Sequence, residues 1–171
     1  MKNKVIGLFL LIAFIWILCG CEGEKYNALI HNQAEKWISE DFLNENRVKA
    51  FYINETYIEG ESEPSSKYIY DESAPSFRTF FITQQMEFIQ IFSKYNEYID
   101  FENNMVLLYI FSDVNPGRDY YIKNIKYENQ VLTIHIKLEN KKSNDSTAPY
   151  QRCLMIEIEK LEIDSINFIK D

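Results

Sequence analysis

Met105-Val106-Leu107-Leu108-Tyr109-Ile110-Phe111 is an unbroken run of apolar, β-branched and aromatic residues, and it reads as a strong β-strand. Three further strand-like segments follow it, Asp119–Tyr127, Val131–Leu138 and Tyr150–Glu159, with Ile166–Ile169 as a last edge. Glu128-Asn129-Gln130 is a tight turn, which makes the segments on either side of it an antiparallel hairpin. The order predicts an up-and-down meander, in which alternate connections lie at the same end of the sheet. Loops Ser112–Arg118 and Glu139–Pro149 are then neighbours, both polar and punctuated by proline. Binding residues concentrate in loops carried on rigid scaffolds, so this end of the sheet is the expected binding end.

Upstream, Phe77–Ile82 has the composition of another strand. Thr83 is placed to cap a helix running to Tyr95, with Met86, Phe88, Ile89, Phe92 and Tyr95 as its apolar face. Ala34, Trp37, Ile38 and Phe42 recur at three- and four-residue spacing, which predicts a first helix over Ala28–Asn46. Val48–Ile53 alternates as a short strand. Asn54–Ser76 collects glutamates, serines and prolines and reads as a long acidic loop with one strand near Tyr68. The expected fold is α+β: a mainly antiparallel meander or sandwich-like sheet packed by two helices.

With 46% hydrophobic and 26% charged residues, the 171-residue chain falls among globular proteins. Five glycines leave little from which to build a Gly-rich phosphate loop. The net charge of −8 disfavours nucleic acid and anionic head groups as partners.

The N-terminus begins Met1-Lys2-Asn3-Lys4 and then runs without charge from Val5 to Leu18. Basic residues followed by about fourteen apolar ones have the form of a secretory leader. Leu18-Cys19-Gly20-Cys21 closes it, and this resembles the lipobox of bacterial lipoproteins. Leu18 fills the aliphatic position, Cys19 and Gly20 the small ones, and Cys21 that of the lipid acceptor. Cys19 is excluded as acceptor, because Trp16-Ile17-Leu18 puts bulk where small residues are needed. The resemblance implies a signal peptide over residues 1–20, palmitate-class acyl chains on Cys21, a tether over 21–27 and one α+β domain over 28–171. It places that domain on the extracytoplasmic face of the cell membrane. An uncleaved signal anchor is the alternative. Cys153 is then the one thiol of the mature domain, so no internal disulfide is expected.

No catalytic motif is present: the chain lacks a G-x-S-x-G elbow, an H-E-x-x-H pair, a P-loop and a Cys-x-x-Cys. His31 and His135 are expected in the first helix and on the outer face of a strand. Asp113-Val114-Asn115-Pro116-Gly117-Arg118-Asp119 begins like a calcium loop, but Gly117, Arg118 and Asn124 stand where its ligands and its turn glycine belong. Neither an enzyme nor a metal or cofactor site is expected.

From about Phe80 onward the chain resembles the C-terminal domain of PrcB-type lipoproteins, described as protease-complex subunits. The likeness rests on Thr83-Gln84-Gln85-Met86-Glu87-Phe88, on Asp100-Phe101 before the Met105–Phe111 strand, on Gly117 and Tyr120, and on Pro149-Tyr150. Arg118-Asp119 interrupts the Gly-Gly-Tyr of that family's loop. The resemblance implies an extracytoplasmic module, covering 83–171, that contacts a protease rather than catalysing. Asn115-Pro116-Gly117 with Pro149-Tyr150 is also similar to the two inhibitory loops of chagasin-type cysteine-protease inhibitors. A protein partner is therefore expected at Asn115, Gly117, Arg118, Tyr120, Pro149, Tyr150 and Arg152, since Tyr and Arg are enriched at interface hot spots. A protease inhibitor and a cell-envelope enzyme are the alternatives.

Overall fold

The computed structural model describes residues 26–56, 65–114, 118–139 and 149–171. The leader, Cys21 and the loop residues Asn115, Pro116 and Gly117 lie outside them. In chain order the elements are β1 (Ala28–His31), a 3-10 turn (Ala34–Lys36), α1 (Glu40–Glu45), β2 (Ala50–Thr56), β3 (Ser65–Tyr70) and β4 (Phe77–Ile82). Then come α2 (Gln85–Ile91), β5 (Asn104–Asp113), β6 (Tyr120–Glu128), β7 (Val131–Leu138), β8 (Tyr150–Glu159) and β9 (Ser165–Lys170). Among the described residues no helix is long and apolar enough to cross a membrane.

The fold is α+β, built from open and mainly antiparallel sheets. Its centre is a four-stranded antiparallel sheet in the order β1-β8-β5-β4. Every residue from Met105 to Phe111 is buried, because both faces of this sheet are covered. Val106, Leu108, Ile110, Cys153 and Met155 face the helical layer of Ala34, Ile38, Phe88, Ile91, Phe92 and Ile99. Met105, Leu107, Tyr109, Phe111, Leu154 and Ile156 face a second sheet, ordered β6-β7-β9, through Leu132, Ile134, Ile136 and Ile166. Each such aliphatic side chain contributes roughly 1.5–3 kcal/mol by its burial. A β2–β3 hairpin forms a separate two-stranded sheet.

Apart from β1, the strands are where the sequence puts them, but the meander is not. β6 does not return beside β5; it crosses to the second sheet, pairs with β7, and the chain comes back through β8 to lie against β5. The two polar loops still share one end, because the β5–β6 and β7–β8 connections both cross between the sheets there, while β8–β9 crosses at the other end. The helix expected over Ala28–Asn46 is also corrected. Its first residues pair with β8, so His31 is a strand residue, and the rest is split at Ser39, whose Oγ accepts from the Phe42 amide to start α1. The predicted apolar side chains are still the ones that pack inward: Ala34 and Ile38 are buried, and Trp37 and Phe42 lean on the same core. α2 starts from Gln84 rather than Thr83, and it buries Phe88 and Ile91 while leaving Met86 and Ile89 exposed. His135 is on the outer side of β7, half-buried, with Nδ1 3.7 Å from Asp171 Oδ1.

The β6–β7 turn holds Asn129 and Gln130 at φ 51° and 61°. A two-residue hairpin requires this left-handed backbone at both positions, which asparagine tolerates and glutamine does not favour. Replacing Gln130 by glycine is expected to raise stability by about 1 kcal/mol. The backbone O of Gln130 that accepts from the Asp164 amide is kept in the variant. An unchanged urea midpoint would show that the turn carries no strain.

Candidate functional site

β5 runs two residues past the start of β4, so Phe77 pairs with Phe111 while Ser112 and Asp113 extend beyond and meet Gln151 and Tyr150 of β8. Four consecutive residues at the start of β8 then hold this end together. Tyr150 receives a hydrogen bond on its hydroxyl from Arg152 Nη1 at 3.2 Å. Gln151 Oε1 accepts from the Val48 amide at 3.1 Å. Arg152 Nη2 donates to the carbonyl of Arg118 at 2.9 Å. The Cys153 amide donates to Glu35 Oε2 at 3.0 Å, so a carboxylate continues the edge where β1 has ended.

Tyr120 completes the cluster. Its hydroxyl donates to Asp113 Oδ2 at 2.6 Å, and its backbone N and O both bond the Asn32 side-chain amide. Arg152 is 0% exposed, Tyr120 3% and Asp113 7%. A buried guanidinium survives only with compensating partners. Desolvation opposes the charge of Arg152, and Tyr150, Glu35 and Asp113 outweigh it, leaving its pKa raised. Burial, then the Asp113 bond, pushes the Tyr120 phenol upward. Burial likewise raises the Glu35 carboxyl, against the backbone amides and Arg152 that favour its ionised form.

The two loops predicted to be neighbours are therefore joined, with Arg118 on one and Arg152 at the root of the other. Their expected contact residues divide. Arg118, Pro149 and Tyr150 are partly exposed. Arg152 and Tyr120, expected to touch a partner, are interior groups whose polar atoms serve the protein's own loops, and this corrects the sequence reading. Asn115 and Gly117 lie outside the described residues. The calcium-loop residue Asp113 is a strand residue bonded to Tyr120, and no group of three metal-ligating side chains occurs among the described residues.

Beside this cluster lies a pocket of about 400 Å³, lined among others by Tyr109, Phe111, Ser112 and Pro149. Tyr109 and Phe111 stack at 4.7 Å, and Phe111 meets Tyr120 edge-on at 5.5 Å, so this ring separates the polar cluster from the pocket. Sequence reasoning missed Glu35, Asn32 and the pocket. The first two lay in a segment read as helix, and the pocket is assembled from six elements or their flanks.

No protein-family model, curated protein or solved structure matches the chain.

Arg152→Ala is expected to lower stability by about 3–5 kcal/mol in urea unfolding, because Asp113 and Glu35 lose their buried counter-charge. A loss under about 1 kcal/mol would mean the guanidinium is not what ties the loops. Glu35 predicts a pH effect of known sign. With its pKa raised in the folded protein above the ordinary 4.5, the folded state holds that proton more tightly than the unfolded chain. Its contribution to stability is full below about 4.5 and is lost as pH rises through the folded value. The Tm of the parent relative to Glu35→Gln should therefore fall from pH 4.5 towards neutrality. A difference that does not vary with pH would reject this.

Proposed function

We propose that this chain is a non-catalytic binding module, held by lipid on Cys21 at the outer face of the cell membrane, that engages a protein partner such as a protease through its loop-bearing end. The observation that carries the reading is the Arg152 guanidinium, which spans from β8 to the Arg118 carbonyl. A charge buried at this cost fixes Arg118 against the start of β8, and fixing that spacing before association lowers the ordering cost of binding. Partly exposed Arg118 and Tyr150 then stand at the rim of a rigid base, where hot-spot residue types are most effective. The resemblance of Thr83-Gln84-Gln85-Met86-Glu87-Phe88 and Pro149-Tyr150 to PrcB-type proteins favours a protease as that partner.

The lipid anchor supports the same reading by economy. Two acyl chains, at about 0.8 kcal/mol per buried methylene, keep a water-soluble body on a bilayer without a spanning helix. The net charge of −8 holds that body off an anionic surface.

Both parts are tested in intact cells of the native host. A photo-crosslinking residue at Arg118 or at Pro149 should give one defined protein adduct, and the same residue at Asn129, on the opposite end of the second sheet, should give none. Cys21→Ser should abolish labelling by radioactive palmitate and release the protein from the membrane fraction. Identical adducts from all three positions, or none from any, would reject the binding end; undiminished palmitate uptake would reject the anchor.

A further inference from the structure

The pocket beside the polar cluster has a definite chemical character. Its floor is made of the buried rings of Tyr109 and Phe111, with Phe77 tilted against Tyr109 at 5.9 Å. Its rim carries Tyr70 and Phe77, which are 55% and 54% exposed. Large aromatic side chains held open to water around a recess mark a binding surface more often than a random surface position. A volume of about 400 Å³ falls in the range of small-molecule sites.

The charges lining it run against the rest of the chain. The protein is acidic, yet among the described residues that line the pocket both charged ones are lysines, Lys49 and Lys170. Neither makes an ion pair or side-chain hydrogen bond among the described residues; the Asp113 carboxylate attracts Lys170 but is itself bonded to the Tyr120 hydroxyl. The Asp71 amide donates to Lys49 O, but the Asp71 carboxylate is taken by the Ser73 amide at 2.9 Å and the Ser73 hydroxyl at 2.6 Å. Asp171 follows Lys170 directly, but successive residues of a strand point to opposite faces. Its carboxylate goes to Lys123 at 2.6 Å and to His135, on the far side of the second sheet. Lys170 is left with its Nζ 4.6 Å over the Phe111 ring. Although Lys170 is exposed as a residue, desolvation at this place lowers its pKa.

We propose that this pocket binds a small organic monoanion, a carboxylate carried on an aromatic body. Tyr109 is already stacked between Phe111 and Phe168, so the aromatic part packs against the exposed Phe77 and Tyr70 rings over the edge of this floor, and the carboxylate is shared by the Lys49 and Lys170 ammonium groups. Such a ligand supplies the negative charge that Asp71 and Asp171 withhold. The site differs from the protein-contact surface proposed above, and neither reading requires the other.

Calorimetric titration of the full-length protein, purified from its native host in detergent micelles with empty micelles subtracted, tests this with 2-naphthoate as the probe. One saturable site is expected, with 2-naphthamide and inorganic phosphate each bound at least about tenfold more weakly. Lys49→Gln and Lys170→Gln should each weaken 2-naphthoate by about five- to tenfold without moving the Tm. Phe77→Ala should weaken 2-naphthoate and 2-naphthamide alike. The proposal is overturned if the amide or phosphate binds as well as 2-naphthoate. It is equally overturned if the double lysine variant binds as the parent does, or if no saturable binding occurs.

Discussion

The antiparallel pairing of β5 with β8 is the constraint from which the rest of the molecule follows. It runs from Asn104 opposite Glu159 to Asp113 opposite Tyr150 without a break in register. Each strand is apolar on both faces, so the pair cannot be stable at the surface and requires a layer on each side. The helical segments and the β6-β7-β9 sheet each have one apolar face, and the two sides of this pair are where those faces are buried. A one-residue slip would exchange the two sets of side chains and expose Arg152 to the helical layer, away from Asp113 and Tyr120. Register, layer order and the composition of the polar end are therefore a single choice.

At that end the apolar rule is broken on purpose. Arg152 occupies a position in line with Leu154, Ile156 and Ile158, where another aliphatic residue would pack. Replacing a buried ion by an apolar residue is often neutral for stability, so stability alone does not account for an arginine here. What an aliphatic residue cannot do is reach a loop carbonyl. The guanidinium bonds Arg118 O and Tyr150 with two separate nitrogens, and its planar fork holds both at fixed directions. Asp113 and Glu35 supply the opposing charge from either side of β8, one through β5 and one through the turn after β1.

The strands were legible because each is long, apolar and bounded by polar residues, and because the Asn129-Gln130 turn declares itself. Their pairing was not. Nothing in Asp119–Tyr127 says that it leaves the sheet of Met105–Phe111; that depends on β8 matching β5 residue by residue on both faces, which is a property of two segments at once. The Ala28–Asn46 segment shows the opposite failure. Helical spacing at Ala34, Trp37, Ile38 and Phe42 identified the buried side chains correctly, yet Ala28–His31 is a strand because the edge of β8 was open to it. At the site, the neighbouring loops were foreseen from connectivity. That Arg152 and Tyr120 point inward was not, since the alternation along β8 gives their face but not what covers it.

Phe111 links the two halves of this end. Its ring is 1% exposed, lies edge-on to Tyr120, stacks on Tyr109 and carries the Lys170 ammonium over it. The polar cluster holds Tyr120 through Asp113 and Asn32, and Tyr120 in turn fixes the wall of the pocket. Residues whose rotamers are locked from behind lose little freedom when a partner arrives in front, so the cost of ordering falls on folding and not on binding. Tyr70 and Phe77 stay open to water, Phe77 leaning on Tyr109. The recess thus has a floor fixed from behind and a rim open to water, and what backs that floor is the Tyr120 that Asp113 and Asn32 hold.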